Sequence, residues 1–141
     1  MTASLSLAND ISEFQRLACA IEEFGSDHLL TEHVVYNGTL ALEEVFSNII
    51  NYAYDDQNVH SITCQMYIEN AQLNLAIMDD GRPFNPLSSP PPDIDAPLEN
   101  RCIGGLGIHM MRELTDAIDY RRIEGKNVLT LKINLNDSSS R

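Results

Sequence analysis

The sequence predicts an α+β fold, a two-layer α/β sandwich in which helices cover one face of a mostly antiparallel sheet. Two stretches carry apolar residues at helical spacing, and several others alternate apolar with polar residues as half-buried strands do. Amphipathic helices bury their apolar stripe against such a sheet, which gives two layers. A length of 141 residues without an internal repeat indicates one domain, residues 1–141.

The N-terminal part predicts a short strand followed by a helix. Residues 4–7 alternate with period two, as a strand does. Asp10-Ile11-Ser12-Glu13 has the form of a capping box, in which two side chains satisfy backbone N–H groups at a helix start. Apolar residues at helical spacing run from Ile11 to Phe24, and Gly25 is the predicted stop.

A second helix is predicted from near Thr31 or Glu32 to about Tyr54. Its apolar stripe consists of Leu42, Val45, Phe46, Ile49, Ile50 and Ala53. Gly38 lies inside this helix, where glycine is unfavourable. The polar run at 55–58 closes the helix as a turn.

Two antiparallel hairpins are predicted from alternation and turn residues. The first joins residues 62–68 to residues 73–77. The second joins residues 118–123 to residues 129–135 through a turn formed by Glu124-Gly125-Lys126-Asn127.

A long loop is predicted between the hairpins, at about 82–104. All six prolines lie between Pro83 and Pro97, which excludes a helix or a central strand there. Loops of this length in compact domains are usually lids, binding loops or disordered connections. Gly104-Gly105-Leu106-Gly107 ends the loop, and a helix is predicted from Ile108 to about Ala117.

The charge is strongly negative and unevenly distributed. The net charge is −12, and residues 1–81 carry thirteen carboxylates against the single Arg16. An acidic surface repels phosphates, so a nucleic-acid partner is disfavoured. No apolar run could span a membrane, and no signal peptide is evident, so the expected location is the cytoplasm. Three cysteines and four histidines are scattered, and their spacing predicts neither a disulfide framework nor a transition-metal site.

One candidate functional motif is Glu44-Val45-Phe46-Ser47-Asn48 on the second helix. Residues four apart share a helical face, so the Glu44 carboxylate and the Asn48 amide lie one turn apart. A carboxylate can act as a general base, and an amide oxygen can bind Mg²⁺. Glu43 lies about 100° around the helix and cannot share the face of Asn48. A solvated helix face is the alternative interpretation of the same pattern.

Two further motifs follow. Asp79-Asp80-Gly81 ends a strand, and it is either a turn or a site where an ionised Asp accepts from an amino group while glycine admits a flat base. Gly104-Gly105-Leu106-Gly107 is either a flexible loop end or an anion site, because glycines expose backbone N–H groups at a helix N-terminus.

The order of these motifs resembles the ATPase superfamily of gyrase B, the histidine kinases and the MutL proteins, whose domain is called the Bergerat ATP-binding fold. The stretch GGLGIHMMRELTDAIDYRRIEGKNVLTLKINL looks most like the anti-sigma-factor serine kinases. The resemblance spans nearly the whole chain.

The resemblance implies ATP and Mg²⁺ as cofactors and assigns roles to the motif residues. Asn48 would hold Mg²⁺, Glu44 would activate the attacking group, and Asp79 would accept from the adenine amino group beside Gly81. The phosphates would lie against Gly105, Leu106 and Gly107, with Arg101 as a further contact. The proline-rich loop at about 82–104 would be the lid. Pro83 replaces the second glycine of the family motif, and Tyr52 stands where many relatives have His.

The resemblance further implies a serine/threonine protein kinase of the anti-sigma-factor type. Such a kinase transfers the γ-phosphate of ATP to a serine of an antagonist protein in a partner-switching circuit, or grips a sigma factor. A homodimer is a further possibility, and neither a nucleic acid nor a membrane is expected as partner. Two alternatives stay open: a nucleotide-dependent binding module with negligible transfer, and simple ATP hydrolysis.

Overall fold

The computed structural model describes residues 2–54, 56, 58–83, 85 and 111–135. Within them the chain forms five strands, two complete α-helices and the helical residues 111–114. The strands and complete helices are β1 (Thr2–Ala8), α1 (Phe14–Asp27), α2 (Glu32–Tyr52), β2 (Ser61–Glu69), β3 (Gln72–Asp79), β4 (Ala117–Ile123) and β5 (Lys126–Asn134), with a 3-10 turn at Ile11–Glu13 before α1. The predicted α+β class and the two predicted hairpins are confirmed. In the described part of the chain, neither helix is long and apolar enough to cross a bilayer.

The five strands form one antiparallel sheet in the order β1-β2-β3-β5-β4. The second hairpin therefore inserts β5 beside β3, so that β3 and β5 are both central strands. Their register pairs Asp79 at the end of β3 with Asn127 at the start of β5. Arg122 of β4 pairs with Asn127 in turn. This topology brings the end of β3, the start of β5 and the end of β4 together at one end of the sheet.

The core lies between the sheet and the two helices. Its fully buried side chains include Leu17, Ile21, Leu42, Phe46, Met66, Leu75 and Leu131. Gly38 of α2 explains how closely the layers pack. A Cβ at this position would lie 2.9 Å from Ile21 Cδ1 and 3.2 Å from Leu75 Cδ1, so α2 sits against both α1 and β3. The unfavourable mid-helix glycine thus marks a close approach.

The start of α1 differs in detail from the predicted capping box. Asp10 does cap, because its Oδ1 accepts from the backbone N–H of Ser12 at 3.0 Å. The Glu13 carboxylate accepts from the N–H of Ala8 at 3.0 Å, while the Asp10 N–H donates to the Ala8 carbonyl. The reciprocal bond of a capping box is therefore replaced by a bond to the end of β1. This tie joins the strand to the helix start.

The predicted stop at Gly25 is wrong, since α1 continues to Asp27. Gly25 is buried, and a Cβ there would lie 2.4 Å from Val35 Cγ2. Contact with the neighbouring helix, and not helix termination, is the physical reason for a glycine at this position.

Helix α2 begins as predicted and ends at Tyr52, two residues before the predicted end. Its N-cap is Thr31, whose hydroxyl accepts from the N–H of Val34 at 3.2 Å. At the other end, Arg82 donates its backbone N–H to the Ala53 carbonyl (2.9 Å) and its Nε–H to the Tyr52 carbonyl (2.6 Å). A cation at a helix C-terminus is stabilising, and here it also fixes the chain just after β3.

Both hairpins turn in two residues with positive φ. Asn70 and Ala71 have φ of 54° and 59°, and Glu124 and Gly125 have φ of 50° and 80°. Such turns match the twist of the flanking strands. The second turn is shorter than predicted, so Lys126 and Asn127 belong to β5.

Residues 111–114 are helical, and the chain enters β4 at Ala117. The predicted helix therefore ends three residues earlier than expected. The reason is that the Asp116 N–H already donates to the Lys132 carbonyl of β5, at 2.8 Å. The predicted helix start and most of the predicted lid lie outside the described residues.

Candidate functional site

The candidate site lies at the end of the sheet where β3 ends and β5 begins, under the C-terminal half of α2. A small cavity of about 20 Å³ is lined there by apolar side chains and by Asn48, Asp79, Tyr120 and Asn127. Asn48, Asp79 and Asn127 are each 5% exposed or less. Buried polar groups are concentrated here, and each must find a partner in the protein or in a ligand.

Asp79 is held by two donors on one oxygen. Its Oδ1 accepts from the Gly81 N–H at 2.9 Å and from Asn127 Nδ2 at 3.0 Å. Both of these bonds end on Oδ1, so neither of them uses Oδ2. An ionised carboxylate accepts several hydrogen bonds, so Oδ2 remains suited to an amino group of a ligand.

Burial raises the pKa of Asp79 above its ordinary value, and the neighbouring Asp80 carboxylate acts in the same direction. The hydrogen bonds from Asn127 and Gly81, and the positive charge of Arg122, oppose that rise in the pKa. The net pKa is raised, and the surrounding donors and the Arg122 charge limit that rise in favour of the ionised, acceptor-only form.

Asn48 carries an unsatisfied buried polar atom. Its Nδ2 is the one buried side-chain nitrogen or oxygen in the described residues that has no hydrogen-bond partner. An orphaned buried donor costs roughly 1–3 kcal/mol, so it usually marks a position that an acceptor of a ligand or a water completes. Asn48 faces the same cavity as Asp79, which joins two of the predicted motifs in one place.

Glu44 lies one helical turn before Asn48 and is partly exposed, whereas Glu43 is exposed. Partial burial raises the pKa of Glu44, and the Glu43 carboxylate adds to the rise. A raised pKa brings a carboxylate nearer to the range in which it can accept a proton from a nucleophile. Glu44 is therefore less exposed than Glu43, as expected if only Glu44 shares the helical face of Asn48.

Gly81 is packed against the end of α2. A Cβ on Gly81 would lie 2.4 Å from the Ala53 carbonyl oxygen and 2.6 Å from Ala53 Cβ. This contact alone requires a glycine. Its predicted role beside a base stays a prediction.

The cavity is large enough for about one water molecule, whereas ligand pockets measure roughly 300–1,000 Å³. A nucleotide therefore requires this site to widen. Met111, whose side chain is fully buried, forms part of the wall, and its flexible thioether can change rotamer without a polar cost.

Several predicted site residues lie outside the described residues: Arg101, Gly105, Leu106 and Gly107. Their predicted contacts with phosphates stay predictions. Pro83 is described and exposed, directly after the anchored Arg82.

Sequence reasoning missed Tyr120, Arg122 and Asn127. The Tyr120 hydroxyl and Arg122 Nη1 both donate to Asn127 Oδ1, the latter at 3.1 Å. Arg122 also donates to the Gly81 carbonyl at 2.8 Å. Asn127 looked like a turn residue, and only the pairing of β5 with β3 places it beside Asp79.

The chain matches the family model of the histidine kinase-like ATPase domain over residues 7–133. The chain belongs to this family. The match covers both helices and both hairpins, and it includes Glu44, Asn48 and Asp79.

Curated relatives of the chain bear the names of protein kinases. A serine/threonine-protein kinase BtrW of Bordetella bronchiseptica is 29% identical over 93 residues, which are 66% of each chain. A serine-protein kinase RsbW of Bacillus mycoides is 33% identical over 97 residues, which are 66% of this chain and 60% of the relative. The matches thus span less than two thirds of these relatives. The resemblance to anti-sigma-factor serine kinases is confirmed.

Solved structures agree on the fold. A Mycobacterium tuberculosis structure of RsbU and RsbW domains has a TM-score of 0.66 at 12% identity, covering 96% of this chain and 32% of that one. A histidine kinase domain of Erythrobacter litoralis has a TM-score of 0.58 at 17% identity, covering 92% and 63%. The Bergerat-type fold is therefore confirmed.

Proposed function

We propose that this chain binds ATP with Mg²⁺ and transfers the γ-phosphate to a serine hydroxyl of a partner protein. The observation that carries the proposal is the unsatisfied buried amide of Asn48 in the same cavity as Asp79, with Glu44 one turn away on α2. Family membership and the names of the relatives support a kinase-like ATPase.

Asp79 would read the base. Its carboxylate is buried and held on Oδ1, and its Oδ2 would accept from the exocyclic amino group of adenine. A 6-oxo purine would present an oxygen at the same place, and two acceptors repel each other.

Asn48 would hold the metal ion. Oδ1 of Asn48 would bind the ion, since Mg²⁺ prefers oxygen ligands and usually takes only one or two from the protein, and the unsatisfied Nδ2 would donate to a phosphate oxygen or water. The nucleotide phosphates and water would supply the rest of the coordination. When bound, the ion would neutralise charge on the phosphates.

Glu44 would accept the proton of the attacking serine. The serine oxygen bonds to the γ-phosphorus, the bond from that phosphorus to the β–γ bridging oxygen breaks, and ADP leaves. Most of the rate enhancement in such a reaction comes from positioning and charge neutralisation, while a general base contributes roughly 10²–10⁴-fold.

The partner that fits this activity is an antagonist-like protein with an acceptor serine, in a cytoplasmic setting where ATP is available. A sigma factor as second target and a homodimer belong to the same proposal. They follow from the resemblance to anti-sigma-factor serine kinases alone.

The test is transfer of label from γ-labelled ATP to candidate antagonist proteins, in the presence of Mg²⁺. Glu44→Ala is expected to reduce labelling by roughly 100-fold or more while ATP binding persists. Glu43→Ala is the matched control, because it removes the same charge from the exposed neighbouring position. Nucleotide-dependent partner binding without label would favour the binding-module alternative, and full labelling by Glu44→Ala would contradict the assigned base.

A further inference from the structure

The Asn127 side chain lies at the centre of the hydrogen bonds that surround Asp79. Its Nδ2 donates to Asp79 Oδ1 at 3.0 Å and to the Arg82 carbonyl at 2.8 Å. Its Oδ1 accepts from the Tyr120 hydroxyl and from Arg122 Nη1. An asparagine side chain has two donor hydrogens and an acceptor oxygen with two lone pairs, and all four are used here.

Because its capacity is exhausted within the protein, Asn127 has none left for a bound base. It can act on a ligand only through the groups that it holds. Those groups are the carboxylate of Asp79 and the backbone that follows it, which is also fixed at Gly81 by Arg122 and at Arg82 by the end of α2.

The amide of Asn127 cannot turn over without loss. A rotation by 180° would place its oxygen against Asp79 Oδ1 and its NH₂ against Arg122 and Tyr120. The contacts with Asp79 and with the Arg82 carbonyl would then join two acceptors, and the contact with Arg122 would join two donors, whereas the Tyr120 hydroxyl could turn to accept. Arg122 of β4, together with the acceptors of Asp79 and Arg82, therefore sets which end of the amide faces Asp79.

We propose that Asn127 is a positioning residue that gives the site its preference for an amino purine over an oxo purine. By holding Oδ1 of Asp79 and the Arg82 carbonyl with one amide group, it directs the other carboxylate oxygen toward the ligand as an acceptor. This proposal rests on the proposed function, because it assigns the base preference of the same site.

Charged and titratable groups near Asp79 come from each neighbouring element. Asp80 follows it on the same strand end, Arg122 and Tyr120 come from β4, and Tyr54 lies beyond α2 with its hydroxyl donating to Asp80 at 3.2 Å. Of these groups, Arg122 and Tyr120 donate to Asn127 Oδ1. A change at Arg122 should therefore act on Asp79 through Asn127 and Gly81 as well as through its charge.

The experiment compares the affinity for ATP with that for ITP, which carries a 6-oxo group in place of the 6-amino group. Asn127→Leu replaces the amide with an apolar group of similar size and thus removes its donor and acceptor, and we expect the ATP:ITP affinity ratio to fall by about tenfold or more. Asn127→Thr restores one donor and should give an intermediate ratio. Arg121→Met is the matched control for Arg122→Met, because Arg121 bonds only Asp119 in the described hydrogen bonds and lies on the other face of β4.

A second readout needs no nucleotide. Backbone amide exchange at Gly81 and Arg82 should be about tenfold faster in Asn127→Leu than in the wild type, while exchange at Leu75 in the middle of β3 stays unchanged. Should the wild-type chain bind neither ATP nor ITP, the proposed function would fail, and the exchange at Gly81 and Arg82 would still decide whether Asn127 holds the turn.

Two results would overturn the proposal. One is a folded Asn127→Leu variant with the wild-type ATP:ITP ratio and wild-type exchange. The other is an equal loss of ATP and ITP affinity, since this would show a role in the fold without a role in base preference. If Asn127→Leu does not fold, Arg122→Met replaces it, and a ratio equal to that of Arg121→Met would refute the positioning role.

Discussion

Replacing Asp79 by asparagine should move nucleotide binding and protein stability in opposite directions. Asn is nearly isosteric with Asp, and its carbonyl oxygen can still accept from the Gly81 N–H and from Asn127 Nδ2. The second carboxylate oxygen becomes an NH₂ group, which faces the place of the adenine amino group. The variant thus keeps the internal bonds and loses the acceptor for the ligand.

The magnitude follows from the nature of the lost bond. A hydrogen bond to a charged group contributes roughly 1.5–3 kcal/mol, so ATP affinity should fall by roughly 10- to 150-fold. Stability should not fall. The folded-state pKa of Asp79 is raised by burial, so its ionisation opposes folding at neutral pH.

The sign of the pH dependence can be tested in the same variant. A raised folded-state pKa means that Asp79 destabilises the fold above that pKa, and that this effect disappears as the pH falls through it. The free energy of unfolding of Asp79→Asn should therefore equal or exceed that of the wild type at pH 7, and the difference should shrink as the pH is lowered.

Isothermal titration with ATP and Mg²⁺ measures the affinity, and urea unfolding at several pH values measures the stability. Asp80→Asn is the matched control, because it removes the same charge one residue away at an exposed position. ATP affinity of folded Asp79→Asn equal to that of Asp80→Asn would refute the role of Asp79 as the reader of the base.

Three further substitutions test the fold and the site. Asn48→Leu removes the unsatisfied buried amide and should raise the free energy of unfolding by about 1–2 kcal/mol. It should also abolish the Mg²⁺-dependent part of ATP affinity. Urea unfolding measures the stability and calorimetric titration the affinity, and a destabilised variant would contradict the reasoning. Gly81→Ala places a Cβ against the Ala53 carbonyl and should destabilise the fold by roughly 1–3 kcal/mol, whereas unchanged thermal unfolding would show that the turn has room. Ala71→Gly relieves a φ of 59° in the first hairpin and should stabilise the fold by about 1 kcal/mol in urea, with ATP affinity as the unaffected control; a loss of stability would argue against strain at this turn.

Much of the fold was predictable because local patterns and global packing agree. The alternation of Ile62, Cys64 and Met66 and the helical stripe around Phe46 specify half-buried strands and a half-buried helix wherever they are placed in the fold. The family resemblance supplied the assembly of these elements. The predicted helix ends at Gly25 and Ala117 were less accurate. Tertiary contacts, which the local pattern does not contain, determine where these two helices end.

The candidate site was predictable only in part. Asn48 and Asp79 stand in short motifs, and the structure places them in the same cavity. Asn127 was interpreted as a turn residue, because Glu124-Gly125-Lys126-Asn127 has the composition of a four-residue turn. Two positive-φ residues suffice for this turn, and the resulting shift in register puts Asn127 opposite Asp79. A rule based on spacing along the chain cannot detect a pair formed across two strands.

The most direct test of the central claim is a calorimetric titration of the whole folded chain with ATP, with and without Mg²⁺. The cavity that joins Asp79 to the unsatisfied amide of Asn48 predicts measurable ATP binding that Mg²⁺ strengthens and that Asn48→Leu no longer couples to Mg²⁺. If the folded chain shows no detectable heat of ATP binding, with or without Mg²⁺, the result would contradict the claim.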